Sequence, residues 1–130
     1  NSKAILKKIR SKHLEILIKF ELLDAKSFGI QLFNSKSVIQ TESIGYDQSN
    51  NVLWSGKDKV NLILENNSKK LNLHIFIDNS IIEVFANHRE CITSQIISKR
   101  NLPFVIDLFT TGGKVKVNSL DIWELNSIWK

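Results

Sequence analysis

The sequence has little of several residue types that define other classes of protein. With one cysteine, Cys91, the chain lacks a partner for an intramolecular disulfide and the thiolates for a Cys-rich zinc site. No apolar run approaches the roughly 20 residues that a membrane-spanning helix needs. Methionine is absent from all 130 positions, the first included, which indicates a fragment or a shortened form of a longer chain.

The charge of the chain is concentrated at its N-terminus. The formal net charge is +5, and residues 1–12 hold five bases and no acid, so the remaining residues are balanced. A nucleic-acid-binding domain usually presents a basic stripe, and the balanced part offers none, so we expect no nucleic-acid partner. Ile5 and Ile9 have helical spacing. We predict that residues 1–12 form a linker or a short helical leader, with a basic anchor for a membrane or nucleic acid as the alternative.

Residues 13–130 have the pattern of a series of β-strands. Apolar and polar residues alternate from Leu14 to Leu22 and from Leu71 to Ile77, which directs one face of each strand toward a core. Further strands are predicted at residues 28–33, 38–46, 52–54, 60–64, 81–86, 91–97, 103–109 and 115–129. Because strands of a parallel sheet are apolar on both faces, the alternation predicts an all-β, antiparallel sandwich or barrel.

Two pairs of residues have types that enzymes use in catalysis. Asp78 and Glu83 flank one predicted hairpin turn, where paired carboxylates could cleave a glycoside, although hairpin ends ordinarily carry exposed acids. His88 and Cys91 are close in sequence, but a nucleophilic pair needs a third, orienting group, and a lone cysteine is usually a small core residue. We therefore assign no catalytic residue to either pair.

Motifs for metals and cofactors are missing. His13, His74 and His88 lie on separate segments without metal-ligand spacing. The sequence has no P-loop, no G-x-G-x-x-G and no G-x-S-x-G. We expect no metal site and no cofactor.

Four aromatic residues are candidates for stacking against a sugar ring. The alternative for each is packing in the core or at an interface. They are Tyr46, Trp54, Trp123 and Trp129. The sequence does not decide between the two, so the sugar-binding residues stay unassigned.

Four stretches of the chain carry a resemblance to a known family. They are residues 25–32 (AKSFGIQL), 44–47 (IGYD), 73–87 (LHIFIDNSIIEVFAN) and 119–125 (SLDIWEL). In order and spacing they resemble the C-terminal domain of glycoside hydrolase family 32, which contains invertases, levanases, inulinases and sucrose-6-phosphate hydrolases. The resemblance implies a two-domain enzyme in which an N-terminal five-bladed β-propeller carries catalysis. It also implies that residues 13–130 form a C-terminal sandwich of two antiparallel sheets.

The catalytic residues of that family do not carry over to this sequence. The family's nucleophile lies in an N-D-P-N motif and its transition-state stabiliser in an R-D-P motif. The only proline here is Pro103, and Leu102 precedes it, so neither motif is present. Glu90-Cys91 matches the two letters of the family's acid/base motif, but we interpret this as coincidence, because an acid without its nucleophile does no retaining chemistry.

We therefore predict a non-catalytic domain that stabilises a β-propeller of the same parent chain, with the parent a β-fructofuranosidase-type hydrolase of sucrose, sucrose-6-phosphate or fructans. A homo-oligomer and fructoside ligands are further partners left open. The alternative function is a stand-alone carbohydrate-binding module, which rests on the sandwich fold and its aromatic residues. One free cysteine favours a cytoplasmic protein, with secretion left open.

Overall fold

The computed structural model describes residues 7–9, 13–34, 40–64, 69–78, 81–95 and 104–125 and holds strands and turns, without a helix, in these ranges. The strands in these ranges are β1 (Lys7–Ile9), β2 (His13–Leu22), β3 (Ser27–Asn34), β4 (Gln40–Asp47), β5 (Val52–Ser55), β6 (Asp58–Asn61), β7 (Lys70–Asp78), β8 (Ile81–Ala86), β9 (Glu90–Gln95), β10 (Phe104–Thr111) and β11 (Val115–Leu125).

The strands form two antiparallel sheets. One sheet has six strands in the order β1-β10-β3-β4-β5-β6, and the other has five in the order β11-β2-β7-β8-β9. Strands β3 to β6 and strands β7 to β9 each follow one another as a meander, whereas the strands near the two chain ends alternate between sheets. The predicted all-β sandwich of two antiparallel sheets is confirmed.

The core lies between the two sheets and follows the period-two pattern of the sequence. Along β2 and β7 every second residue is buried, from Leu14 to Leu22 and from Leu71 to Ile77, and the residues between them are half-buried or exposed. Phe20 of one sheet and Phe28 of the other meet with ring centroids 4.6 Å apart, and Tyr46 packs edge-on to Phe28 at 6.1 Å. Each fully buried side chain of this size contributes about 1.5–3 kcal/mol of transfer free energy, so the two inner faces hold the sheets together.

The N-terminal residues differ from the prediction. Lys7–Ile9 form strand β1, which pairs with β10 through Lys7 opposite Ile106, so the helix predicted from the spacing of Ile5 and Ile9 is wrong here. The exposed edge of β10 supplies backbone partners that a short helix cannot use. Residues 1–6 and 10–12 lie outside the described residues, and the start of the domain stays a prediction.

The strand predicted at residues 60–64 is displaced. A turn at Gly56, with φ 60°, brings Asp58–Asn61 back against β5, and the pairing ends where Asn61 meets Val52. Leu62 continues the apolar alternation, but its N–H donates to the carbonyl oxygen of Asn51 instead of joining the ladder. The other predicted strands lie within a few residues of the observed ones, and the parts predicted at residues 38–39, 96–97, 103 and 126–129 lie outside the described residues.

Candidate functional site

The candidate aromatic residues do not form one platform. Tyr46 is buried between the sheets, where its hydroxyl donates to the carbonyl oxygen of Leu62 at 2.7 Å. Trp54 lies half-buried on the outer face of the six-stranded sheet, and Trp123, 45% exposed, lies on the outer face of the other sheet. Trp129 lies outside the described residues. A sugar-stacking site built from all four is therefore excluded, and Trp54 and Trp123 have to be considered separately.

A row of five residues crosses the outer face of the six-stranded sheet at Trp54. Pairing places Phe109, Gly29, Gly45, Trp54 and Lys59 side by side on strands β10, β3, β4, β5 and β6. The two glycines leave the middle of the row without side chains. The rings of Trp54 and Phe109 approach over this gap, with centroids 5.9 Å apart.

The indole of Trp54 is held in place from two directions. Its Nε1 donates to the Oγ of Ser43 at 2.9 Å. A Cβ built on Gly45 would lie 2.6 Å from the ring atom Cζ2, so the ring lies directly on the backbone of β4. Glycine is required here because any side chain would displace the indole.

A shallow groove of about 540 Å³ runs beside Trp54, lined by Asp47, Asn50, Val52, Trp54, Gly56 and Lys59. Asn50 donates to the Asp47 carboxylate from its side chain at 2.9 Å and from its backbone at 3.2 Å. These hydrogen bonds hold the pKa of Asp47 below its ordinary value, so Asp47 is an anionic acceptor at neutral pH. Lys59 supplies a cation on the other side of Trp54.

The outer face of the five-stranded sheet combines apolar and titratable side chains. Pairing places Leu17, His74, Phe85 and Cys91 in one row. The next row holds Trp123, Glu15, Phe76, Glu83 and Thr93. Nε2 of His74 donates a hydrogen bond to Oε2 of Glu15 at 2.5 Å, and His74 lies against Phe76 with ring centroids 4.5 Å apart. Phe76 in turn meets Phe85 edge-on at 6.0 Å. We call this surface the five-stranded face.

The residues weighed for catalysis and left unassigned lie in different surroundings. Asp78 is exposed and ion-paired with His13, while Glu83 is half-buried opposite Phe76. Cys91 is exposed opposite Phe85, so its assignment to the core is wrong: the strand's period of two buries its neighbour Ile92 instead.

The three histidines lie at separate places. His13 and His74 pair with different carboxylates, and His88 lies in the turn between β8 and β9 with φ 57°. In the part of the chain that the structure describes, no group of three His, Cys, Asp or Glu side chains is arranged to hold a metal ion. The same residues also hold no helix long and apolar enough to span a membrane.

Sequence reasoning missed the partners of Trp54. Gly29 and Gly45 are ordinary strand glycines in the sequence, and Phe109 is 55 positions from Trp54. Only the pairing of β10, β3, β4 and β5 brings them into one row. A glycine inside a strand pattern does signal a close approach by another group, and this signal could have pointed to Gly45.

The fold is a sandwich of two antiparallel sheets, and comparison with known proteins assigns its family. The family model described as "Glycosyl hydrolases family 32 C terminal" matches residues 1–124. The chain belongs to that family of C-terminal domains.

The relatives extend well beyond this chain. The chain is 32% identical to a levanase of Bacillus subtilis over 96 residues, which is 74% of this chain and 14% of the levanase. It is 38% identical to an acid beta-fructofuranosidase of Vicia faba over 63 residues, which is 45% of this chain and 10% of that enzyme. The chain therefore spans a small fraction of the relatives it matches.

Solved structures agree on the fold. An exo-inulinase of Aspergillus awamori aligns with a TM-score of 0.77 at 21% identity, covering 97% of this chain and 27% of the inulinase. A galectin of Caenorhabditis elegans aligns with a TM-score of 0.70 at 14% identity, covering 95% of this chain and 92% of the galectin. At these identities the similarity establishes the sandwich architecture alone.

Proposed function

We propose that this chain is the non-catalytic C-terminal domain of a longer β-fructosidase that hydrolyses sucrose, sucrose-6-phosphate or fructans. The observation that carries the proposal is the family match over residues 1–124, together with the small share of the levanase that the chain covers. In this proposal a catalytic domain of the same polypeptide does the chemistry. The sandwich packs against that domain and stabilises it.

The chemistry of the chain supports a non-catalytic role. Retaining glycoside hydrolysis needs two carboxyl groups about 5 Å apart, one acting as acid and one as nucleophile. The sequence has no Asp-Pro dipeptide, which both family motifs for the nucleophile and the stabiliser contain. Glu90, the residue that matches the acid/base letter, is an ordinary member of β9 and pairs with Ala86.

Incubation of the 130-residue chain with sucrose, levan or inulin tests the proposal directly. We expect no fructose above a buffer control, and we expect the longer protein to release fructose from at least one of these substrates. Fructose release by the chain alone would overturn the non-catalytic role. A complete reading frame without N-D-P-N and R-D-P motifs upstream of Asn1 would overturn the enzyme context.

The five-stranded face is the surface that we propose packs against the catalytic domain. Trp123 and Ile81 are 45% and 42% exposed there, beside the half-buried Phe76 and Phe85. Exposed apolar residues of this kind, gathered on one face, are typical of interaction surfaces. The Glu15 carboxylate on this face accepts a hydrogen bond from Nε2 of His74, so covering the face does not leave it without a hydrogen-bond partner.

Hydrogen exchange of the chain alone and of the longer protein tests the docking surface. We expect β2, β7 and β8 to gain protection in the longer protein. Trp123→Glu should lower the melting temperature of the longer protein while leaving that of the 130-residue chain unchanged. The control is Asn61→Glu, an exposed position on the other sheet, which should change neither.

Two results would contradict this docking surface. Protection gained on β4 to β6 instead would assign the contact to the other sheet. Dimerisation of the chain that Trp123→Glu abolishes would mean that the face joins two copies of the domain, which sedimentation velocity would detect.

A cytoplasmic location is a separate proposal. It is supported by Cys91, a single free and exposed cysteine, since oxidising compartments favour paired cysteines. Fractionation of cells that produce the longer protein tests it, and recovery of the protein from the medium would overturn it.

A further inference from the structure

The groove beside Trp54 has the construction of a small binding site on the sheet opposite the proposed docking face. The indole is fixed before any ligand arrives, because Ser43 holds its Nε1 at 2.9 Å and the backbone at Gly45 supports the ring. A side chain that is already ordered loses little conformational entropy when a ligand binds. The indole beside the groove is therefore preorganised.

The polar groups around the groove indicate the class of ligand. Asp47 offers an anionic acceptor that Asn50 holds in place, and Lys59 offers donors. Asp47 and Lys59 carry opposite charges, so together they give the groove no strong preference for an anionic or a cationic ligand. A neutral molecule with both donors and acceptors satisfies both groups.

A saccharide ring has this combination of properties. One face of the ring presents C–H groups, which suit the apolar surface of an indole, and the hydroxyls at the rim each donate and accept hydrogen bonds. We propose that this groove binds one ring of a neutral saccharide, stacked on Trp54, with its hydroxyls on Asp47, Asn50 and Lys59. The further assignment of the saccharide as a fructan rests on the proposed function.

Calorimetric titration of the 130-residue chain with levan and inulin oligosaccharides tests the site. Maltose and cellobiose oligosaccharides serve as other neutral saccharides for comparison. We expect saturable binding of a fructan, and we expect chemical-shift changes on binding to concentrate in β4, β5 and β6. Trp54→Ala should weaken binding about tenfold or more, because aromatic anchors carry much of the energy at such sites. Lys59→Ala should weaken it less.

The matched control is Phe33→Ala, an aromatic residue on the same sheet outside the groove, which should leave binding unchanged. Circular dichroism checks that each variant is folded. If Trp54→Ala does not fold, Lys59→Ala and Asp47→Asn decide the question, because both positions lie at the rim. Unchanged binding in both would then overturn the site.

Other outcomes separate the site from the proposed function. If no saccharide binds at millimolar concentration, the site is overturned, while fructose release by the longer protein still supports the fructosidase context. If only maltose or cellobiose oligosaccharides bind, the fructan assignment is overturned. If a fructan binds but the longer protein releases no fructose, the site stands and the proposed function fails.

Discussion

Ser94 and Ser55 connect the two sheets. The Oγ of Ser94 on β9 donates a hydrogen bond to the carbonyl oxygen of Ser55 on β5, 2.9 Å away, in the buried interior. Ser94 and Ser55 are 5% and 0% exposed. Among the described residues the Ser55 hydroxyl is the buried side-chain group without a hydrogen-bond partner. Both hydroxyl groups are therefore buried, but that of Ser94 makes a hydrogen bond and that of Ser55 makes none.

Replacing the two serines by alanine should affect the free energy of unfolding differently. We expect Ser94→Ala to lower the free energy of unfolding by about 1 kcal/mol, because it removes a buried hydrogen bond. Ser55→Ala should be neutral or stabilising, because it removes an unsatisfied hydroxyl. Urea unfolding of both variants measures the difference. Equal destabilisation by the two variants would contradict the conclusion that only the Ser94 hydroxyl makes a stabilising hydrogen bond.

Tyr46 should contribute to the stability of the fold through its hydroxyl group. The group donates to the carbonyl oxygen of Leu62 at 2.7 Å, and Tyr46 is 1% exposed. Tyr46→Phe leaves that carbonyl without this donor, so we expect a loss of about 1–2 kcal/mol at neutral pH, measured by urea unfolding.

The pH dependence provides a second measurement on the same variant. Burial, and to a smaller extent the charge of Asp47, raises the pKa of Tyr46 above its usual 10. The unfolded chain therefore ionises first, and the protein loses stability as the pH rises above 10. Tyr46 is the only tyrosine, so the Phe variant lacks this contribution and its stability should approach that of the parent at alkaline pH. If the parent and the Tyr46→Phe variant differed in stability by the same amount at pH 7 and at alkaline pH, the raised pKa would be contradicted.

Glu42 should oppose folding at neutral pH. Burial raises the pKa of its carboxyl group, the charge of Asp58 raises it further, and Lys57 partly offsets both. A raised pKa in the folded state means that stability is highest when the group is protonated and falls as pH rises through the folded value. We therefore expect Glu42→Gln to be more stable than the parent at pH 7, and the difference to vanish well below 4.5. Urea unfolding at both pH values measures it.

The control for Glu42 is Asp121→Asn, an exposed acid on the outer face of the other sheet. A surface charge of this kind contributes little to stability, so we expect a difference close to zero at both pH values. A Glu42→Gln variant that is less stable than the parent at pH 7 would contradict the sign derived above.

Gly45 should tolerate alanine poorly because of Trp54. The added Cβ would lie 2.6 Å from the indole and 2.6 Å from the carbonyl oxygen of Phe28, and overpacking of this kind costs about 1–3 kcal/mol. In a Trp54→Ala background we expect the cost of Gly45→Ala to fall. A Cβ at Gly29 meets the backbone of Ile44 and Gly45 instead, so the cost of Gly29→Ala should stay the same in that background. Thermal unfolding of the double-mutant cycle measures both, and an unchanged cost at Gly45 would show that the indole does not set it.

Much of the fold follows from local sequence patterns. The alternation along residues 71–77 and the break at residues 78–80 predict the hairpin of β7 and β8, and Ile81–Ala86 is found as predicted. These elements are predictable because a half-buried strand has to alternate, whatever its partner. The prediction fails where the length of the neighbouring strand sets the end of a strand. Strand β6 ends at Asn61 because its neighbour β5 begins at Val52, although the apolar alternation continues to Leu64.

The surfaces are less predictable than the strands. The sequence favours a core position for Cys91, yet the structure buries its neighbour Ile92 and exposes the thiol. Trp54 and Trp123 are both candidates for sugar stacking in the sequence, but they lie on opposite faces of the sandwich. A strand's period of two shows which residues share a face, but it does not show which of the two faces is buried when both carry apolar side chains.

The class of fold, the resemblance to a family of C-terminal domains and the lack of its catalytic motifs follow from the sequence alone. These depend on local alternation and on residue identity, which need no three-dimensional neighbour. The tertiary structure decided the order of the strands and the two surfaces. The row from Phe109 to Lys59 and the row from Trp123 to Thr93 each join residues from five strands. Such neighbours are set by strand pairing between distant segments, which local sequence patterns do not encode.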